Sequence, residues 1–186
     1  GWWVVKAIKL ENQSISRKWI DKLTKIAQKA WAKWLAYIIY DDNEEWWKKS
    51  PILKFMWDAE ISEMEARVKP KNWDIVFFSA NDFDKAVSIL NVVRLALRDQ
   101  FDLADKNELS FCWVTDFPMF EENEITWKID FGHNPFSMPK WWIKAFEKEN
   151  LLEVESVQYD LACNGYEILS GSIRNHDVEA LVKAFE

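Results

Sequence analysis

Glycine is nearly absent from this chain: four of 186 residues, against 13 tryptophans. The shortage constrains the fold more than any other feature. Glycine is what normally lets a backbone enter a left-handed turn without a Cβ clash, and helices are usually closed by glycine or asparagine in that conformation. The stretch WAKWLAYI, residues 31–38, shows the difficulty. The pattern places a helix end, a turn and a strand start there, yet Trp31 and Trp34 stand where residues tolerating φ > 0 are wanted.

The bulk sequence excludes several classes. An apolar fraction of 49% with 30% charged residues suits a soluble globular chain long enough for one large or two small cores. No apolar run approaches the roughly 20 residues of a membrane span, and GWWVVKAIKLENQ lacks the layout of a signal peptide. Cys112 and Cys163 have no CxxC or CxxH company, so neither a disulfide framework nor a zinc site is expected, and a reducing, cytoplasmic setting is the default. Charge is divided unevenly: residues 1–95 carry +3 and residues 96–186 carry −10. The split suggests two units, the second too acidic to hold nucleic acid by general attraction. Any RNA contact must be local or lie outside this chain.

Periodicity predicts an α+β chain. WWVVKAIKL (2–10) reads as a strand. Ser16 is placed as an N-cap, with Ile15 and Ile20 at staple spacing and Ile20, Leu23, Ile26, Ala27 and Ala30 on one helical face. LAYIIYD is a strand, DDNEEWWKKS a polar loop, 58–67 a short helix, IVFFSA a strand, and Asp82 opens a long amphipathic helix. In the second half FCWVTDFPMFE and TWKIDFG read as strands around the acidic turn EENE, and Pro139 predicts a helix start. VQYDLACNGYEIL reads as one long strand, GSIR as a second, and HDVEALVKAFE as a helix.

Three stretches carry candidate chemistry. HNPFSMP (133–139) joins His133 and Asn134 to two prolines, which makes either a preformed polar loop for a small charged ligand or an ordinary turn with a surface histidine. In NGYEILSGSIRNH, Glu167 and Arg174 are seven residues apart across Ser170-Gly171-Ser172. Adjacent strands would bring both onto one floor, where a guanidinium grips a carboxylate bidentately and a carboxylate holds a metal–nucleotide complex. Alternatively, the two pair with each other or with neighbours. FPMFE ends with Glu121 at the mouth of a strand that otherwise reads as core. No phosphate-binding glycine loop and no nucleophilic triad is present. The tryptophans raise a further reading, an aromatic sugar- or membrane-binding platform.

WVTDFPMFE, DFGHNPFSMP and QYDLACNGYEILSGSIRNH, in that order and spacing, closely resemble bacterial-type aspartyl-tRNA synthetase, a class II aminoacyl-tRNA synthetase. SISRKWIDKLTKIAQKAWAKWLAYI, SPILKF and DIVFFSANDFDKAVSILNVVRLALRDQFDL resemble that family's inserted domain, shared with the GatB/GatE amidotransferase subunits. The resemblance implies a small α/β-sandwich-like inserted domain over 1–95, then part of a class II antiparallel sheet with flanking helices over 96–186. It implies ATP with Mg²⁺ as cofactors, aspartate and tRNA-Asp (with tRNA-Asn undecided) as substrates, a homodimer, and no membrane partner. By motif, His133 would contact aspartate, Glu167 would bind ATP through its magnesium, and Arg174 would clamp the aspartate side chain. Asn134 stands where many members have a second histidine, and no role is carried over to it. The anticodon-binding domain and motif 2 arginine would precede residue 1, and the motif 3 arginine would follow residue 186. The 186-residue piece alone is therefore expected to lack ligase activity. The alternative of a different class is a noncatalytic tRNA-binding part of a tRNA-dependent amidotransferase.

The same resemblance gives an expectation for the tryptophans. Members read GAKGLAYI where this chain reads WAKWLAYI, and glycine is likewise expected at Trp2, Trp3, Trp73, Trp127, Trp141 and Trp142, while Trp113 has a tryptophan counterpart. With every tryptophan but Trp113 exchanged, glycine would reach about 9% of the chain, near the usual ~7%. UGA codons meaning glycine but translated as tryptophan account for this pattern. Trp19 and Trp57 sit where glycine is less required. Trp31 and Trp34 are then expected to be exposed or strained and to share no site.

Overall fold

IVFFSA forms the centre of the first sheet. In the computed structural model, which describes residues 3–41, 47–123 and 125–186, β1 (Val4–Leu10), β2 (Ala36–Tyr40), β3 (Lys48–Lys49) and β4 (Ile75–Asn81) pair antiparallel in the order β1-β4-β2-β3. Residues 75–79 of β4 are all buried because both faces of the sheet are covered. Ile75 and Phe77 face a core built with α1 (Arg17–Lys29) and α3 (Phe83–Phe101). Val76 and Phe78, with Ile38 and Tyr40, meet Leu53 of the 53–55 turn, Met56 just after it, and Met64 and Val68 of α2 (Asp58–Val68). Alternate side chains of one strand thus feed two layers.

The helices start where their caps are. Ser16 Oγ accepts from the Trp19 N–H at 3.4 Å, and Asp82 Oδ1 from the Lys85 N–H at 3.0 Å. On α1, Ile20, Leu23 and Ala27 are buried, and Ile26 and Ala30 are half-buried against the same core. Asp74, 2% exposed, fixes the end of the sheet. Its carboxylate accepts from the N–H groups of Asn12 (3.1 Å) and Lys71 (2.8 Å), with Lys9 Nζ at 3.6 Å.

The chain divides into two compact units, Gly1–Asp105 and Lys106–Glu186. The division expected after residue 95 falls inside α3, whose Leu97 and Phe101 still pack into the first core. Of the expected loop at 41–50, residues 42–46 lie outside the described residues, and Lys48–Lys49 is strand.

The second unit holds a three-stranded antiparallel sheet, β5 (Phe111–Pro118), β8 (Glu155–Cys163) and β9 (Tyr166–Ser172), in the order β5-β8-β9. A separate pair, β6 (Phe120–Glu122) and β7 (Ile129–Phe131), packs Phe120 with Met119, Ala145, Val154 and Ala184, the last from α4 (Val178–Phe185). Two expectations fail here. The helix after Pro139 is only 3-10 in character, at Trp142–Glu147 and Leu151–Glu153. The long strand is two strands, because Asn164 (φ 52°) and Gly165 (φ 84°) make a tight turn of the kind that joins antiparallel neighbours.

Candidate active site

The Asn-Gly turn decides where Glu167 and Arg174 stand. With the chain reversing at 164–165, Glu167 and Ser170-Gly171-Ser172 belong to one strand, β9. The expected arrangement on adjacent strands is therefore replaced by one along a single line. Glu167 and Arg174 are roughly 20 Å apart at the usual strand rise, too far to neutralise one another. Among the described residues no carboxylate pairs with the Arg174 guanidinium, which instead stacks on the Phe136 ring with its carbon 4.9 Å from the centroid. A ligand that reaches both must be elongated.

Parity also matters. Seven is an odd separation, and a regular strand would turn the two side chains to opposite faces. The register between β8 and β9 slips by one, pairing Leu161 with Leu169 but Ala162 with Glu167, so Ile168 is an extra residue. Glu167 consequently shares a face with Ala162, Asp160, Ser170 and Ser172. Ile173 N–H donates to the Val157 carbonyl at 3.0 Å and carries the register one residue further toward Arg174.

Asp160 is the residue that sequence reasoning missed. It lies opposite Ser170, two residues along β8 from the partner of Glu167, which is the diagonal relation of a cross-strand pair. The signal was the Asn-Gly dipeptide: once the turn is placed there, QYD and GYE fall on neighbouring strands.

HNPFSMP is built into the sheet's end as a strap. Met138 N–H donates to the Ile173 carbonyl, and the Met138 carbonyl accepts from the Val157 N–H, both at 2.8 Å. Asn175 N–H reaches the Phe136 carbonyl at 2.7 Å, and isolated bridges join Ser137 to Arg174 and Pro139 to Ser156. Asn134 has a structural role: its Oδ1 accepts from the Phe136 N–H (2.9 Å) and its carbonyl from the Ser137 N–H (3.2 Å). His133 is exposed, its ring edge-on to Phe117 of β5 at 5.2 Å. The strap thus brings His133 and Arg174 to the same end of the sheet, while Glu167 stands further along β9. Glu121 lies on β6 opposite Asp130, with its carboxylate beside Gly132, the residue before His133.

Lys140 pins the strap, with its ammonium on Asp116 of β5 and at 2.9 Å from Glu155 of β8. The hydrogen bonds to Asp116 and then Glu155 raise the Lys140 pKa above its ordinary value. The hydrogen bonds from Lys140 and then Thr115 hold the Asp116 carboxyl below its own. Two buried polar atoms lie in the same segments without a partner among the described residues, Ser137 Oγ and Asn175 Nδ2.

The donor set fits a magnesium nucleotide. Among the described residues there is no cluster of three or more His, Cys, Asp or Glu able to cage a metal. Magnesium is ordinarily held by one or two carboxylates together with substrate phosphates, and Asp160 with Glu167 on one face is such a pair.

A model of the family described as "tRNA synthetases class II (D, K and N)" matches residues 7–186. The chain belongs to this family. The synthetase match runs through both halves, which the amidotransferase alternative does not accommodate. Among relatives, the aspartate–tRNA(Asp/Asn) ligase of Chlorobium luteolum is 44% identical over 183 residues, covering 98% of this chain and 30% of the relative. That of Rickettsia bellii is 42% identical over 173 residues, covering 91% and 28%. The like-named protein of Prosthecochloris aestuarii is 42% identical over 183 residues, covering 98% and 29%. The synthetase chain therefore spans less than a third of the length of these relatives. Its mixed α+β architecture with antiparallel sheets agrees with a class II synthetase region. Among the described residues no helix is long and apolar enough to cross a membrane.

Proposed function

We propose that this chain is part of an aspartate–tRNA ligase, which activates aspartate with ATP and transfers it to tRNA. The first unit is the inserted domain of the GatB/GatE type, and the second is part of the class II catalytic domain of a cytoplasmic, homodimeric enzyme. The observation that carries this reading is Arg174, an exposed guanidinium with no carboxylate partner among the described residues, backed by Phe136.

Each residue then has work that follows from its place. Arg174 presents a planar donor pair to the side-chain carboxylate of aspartate, and asparagine is disfavoured because its amide turns N–H donors toward the guanidinium. Stacking on Phe136 limits the conformations the arginine must lose on binding. His133, on the same strap, contacts the amino acid. Glu167 holds the nucleotide through magnesium, with Asp160 beside it on the same face. Bound Mg²⁺ supplies positive charge against the phosphates. Ser137, Asn134 and Lys140 fix the strap so that binding and orientation precede chemistry. The relatives' names carry both tRNA(Asp) and tRNA(Asn), and both are substrates to be tested for the complete enzyme.

The experiment is Arg174→Leu in the complete protein. Aspartate-dependent ATP–pyrophosphate exchange falls by about a hundredfold or more in kcat/KM, the loss of a charged, bidentate contact, with unfolding unchanged. Undiminished exchange refutes the assigned role.

A further inference from the structure

Left-handed backbone is where tryptophan is least at home, and this chain puts it there five times. Of the ten non-glycine residues with positive φ among the described residues, four are Asn or Asp and five are tryptophan: Trp31 (67°), Trp73 (67°), Trp127 (56°), Trp141 (70°) and Trp142 (50°). Asn and Asp tolerate this region, but a bulky side chain there is an outlier.

Four of the five stand at turns or caps whose usual occupant has no Cβ, and Trp142 follows the fourth directly, opening a 3-10 turn. Trp31 follows the cap of α1, and its N–H bonds the Gln28 carbonyl while the Ala32 N–H bonds Ala27, both at 3.1 Å. That double closure is the Schellman motif, with tryptophan at its glycine position. Trp73 is third in a turn closed by the Asp74 N–H on the Lys71 carbonyl (3.1 Å), and Trp141 third in one closed by the Trp142 N–H on Pro139 (3.2 Å). Positive φ at that place is the mark of a type II turn. Trp127 ends the β6–β7 loop, with its N–H on the Asn123 carbonyl at 2.8 Å.

Four of the five side chains are largely given to solvent, and only Trp73 is half-buried. Trp31, Trp127, Trp141 and Trp142 are 86, 74, 73 and 54% exposed. Among the described residues no two tryptophan rings pack together, which removes the aromatic platform. We infer that residues 31, 73, 127, 141 and 142 are glycine in the protein as its source makes it, encoded by a reassigned UGA codon read here as tryptophan. Trp113, whose ring meets Tyr159 edge-on at 5.8 Å, and Trp19, half-buried against the core of α1, are outside the inference. The consequence for the site is direct, since Trp141-Trp142 follow the strap residue Lys140.

The test is the gene together with the native protein. UGA at the five codons and glycine at those positions in peptides sequenced by mass spectrometry from the source organism support the inference. UGG codons overturn it, and so does UGA with tryptophan in the peptides.

A second observation is independent of the first. Lys18, Lys22, Lys25 and Lys29 recur at i, i+4, i+7 and i+11 along α1, all exposed, with no acidic partner among the described residues. They form one stripe about 16 Å long. Its opposite face, Ile20, Leu23 and Ala27, is spent in the core, so no apolar face remains to enter a bilayer. The geometry points to a nucleic-acid phosphate backbone as the partner; this rests on the tRNA-ligase reading and supplies a local RNA contact despite the negative net charge.

In the complete protein, Lys→Gln at all four positions lowers the slope of log affinity for tRNA against log salt by about 3 and leaves aspartate-dependent pyrophosphate exchange unchanged. An unchanged slope with intact exchange overturns the stripe alone. Absence of exchange in the unaltered protein overturns the ligase reading itself.

Discussion

At most exposed positions alanine is the more stabilising residue and glycine the less, by roughly 0.5–1 kcal/mol within helices, because glycine loses more backbone freedom on folding. Residue 31 reverses that order. Its φ of 67° lies in the left-handed region, where a Cβ costs about 1–2 kcal/mol. Trp31→Ala and Trp31→Gly both remove the indole, which at 86% exposure makes little contact, so their difference isolates the Cβ. Glycine is expected to exceed alanine by about 1 kcal/mol. Urea unfolding of the two variants, compared at a shared slope, reads the difference from the midpoints. Alanine equal to or above glycine would refute the account of the helix end, and with it the strongest leg of the glycine inference.

Three further outcomes follow from the packing. Asp74→Ala leaves the Asn12 and Lys71 N–H groups without their buried acceptor and costs about 3 kcal/mol in urea unfolding. In Gly171→Ala the new Cβ would stand 2.7 Å from the Tyr159 ring. The cost is about 1–3 kcal/mol, and a double-mutant cycle with Tyr159→Ala should recover most of it. The strap's ion pair gives a pH signature: with the Asp116 carboxyl held low and the Lys140 ammonium held high, its contribution is present above the ordinary carboxylate range near pH 4. It is lost as pH falls through the lowered value and, at the other end, as pH rises through the raised lysine value. Lys140→Met should flatten both limbs of the stability profile.

Much of the first unit was readable from the chain because its signals are local. Ser16 and Asp82 are caps whose partners lie three residues away, and the apolar face of α1 is set by helical period alone. IVFFSA is a continuous apolar run because both of its faces are buried, and that too is visible in sequence. The second unit depended on longer-range facts. Treating QYDLACNGYEIL as one strand overlooked the Asn-Gly turn, and with it the register that places Asp160 beside Glu167. The bulge at Ile168, which sets the face of Glu167, is a mismatch between two strands and has no signature in either one. Arg174 and His133 were candidates from their motifs alone, and their meeting at one sheet end depends on the strap's hydrogen bonds to Ile173 and Asn175. The tryptophans were anomalous in sequence, and the backbone supplies the reason at five of them.

The central claim is that Arg174 selects a carboxylate-bearing amino acid for activation. It is tested most directly by ATP–pyrophosphate exchange in the complete protein, with aspartate, asparagine and lysine supplied separately. Exchange stimulated by aspartate and not by the other two is the predicted result. Exchange driven by asparagine or lysine in preference to aspartate would contradict it.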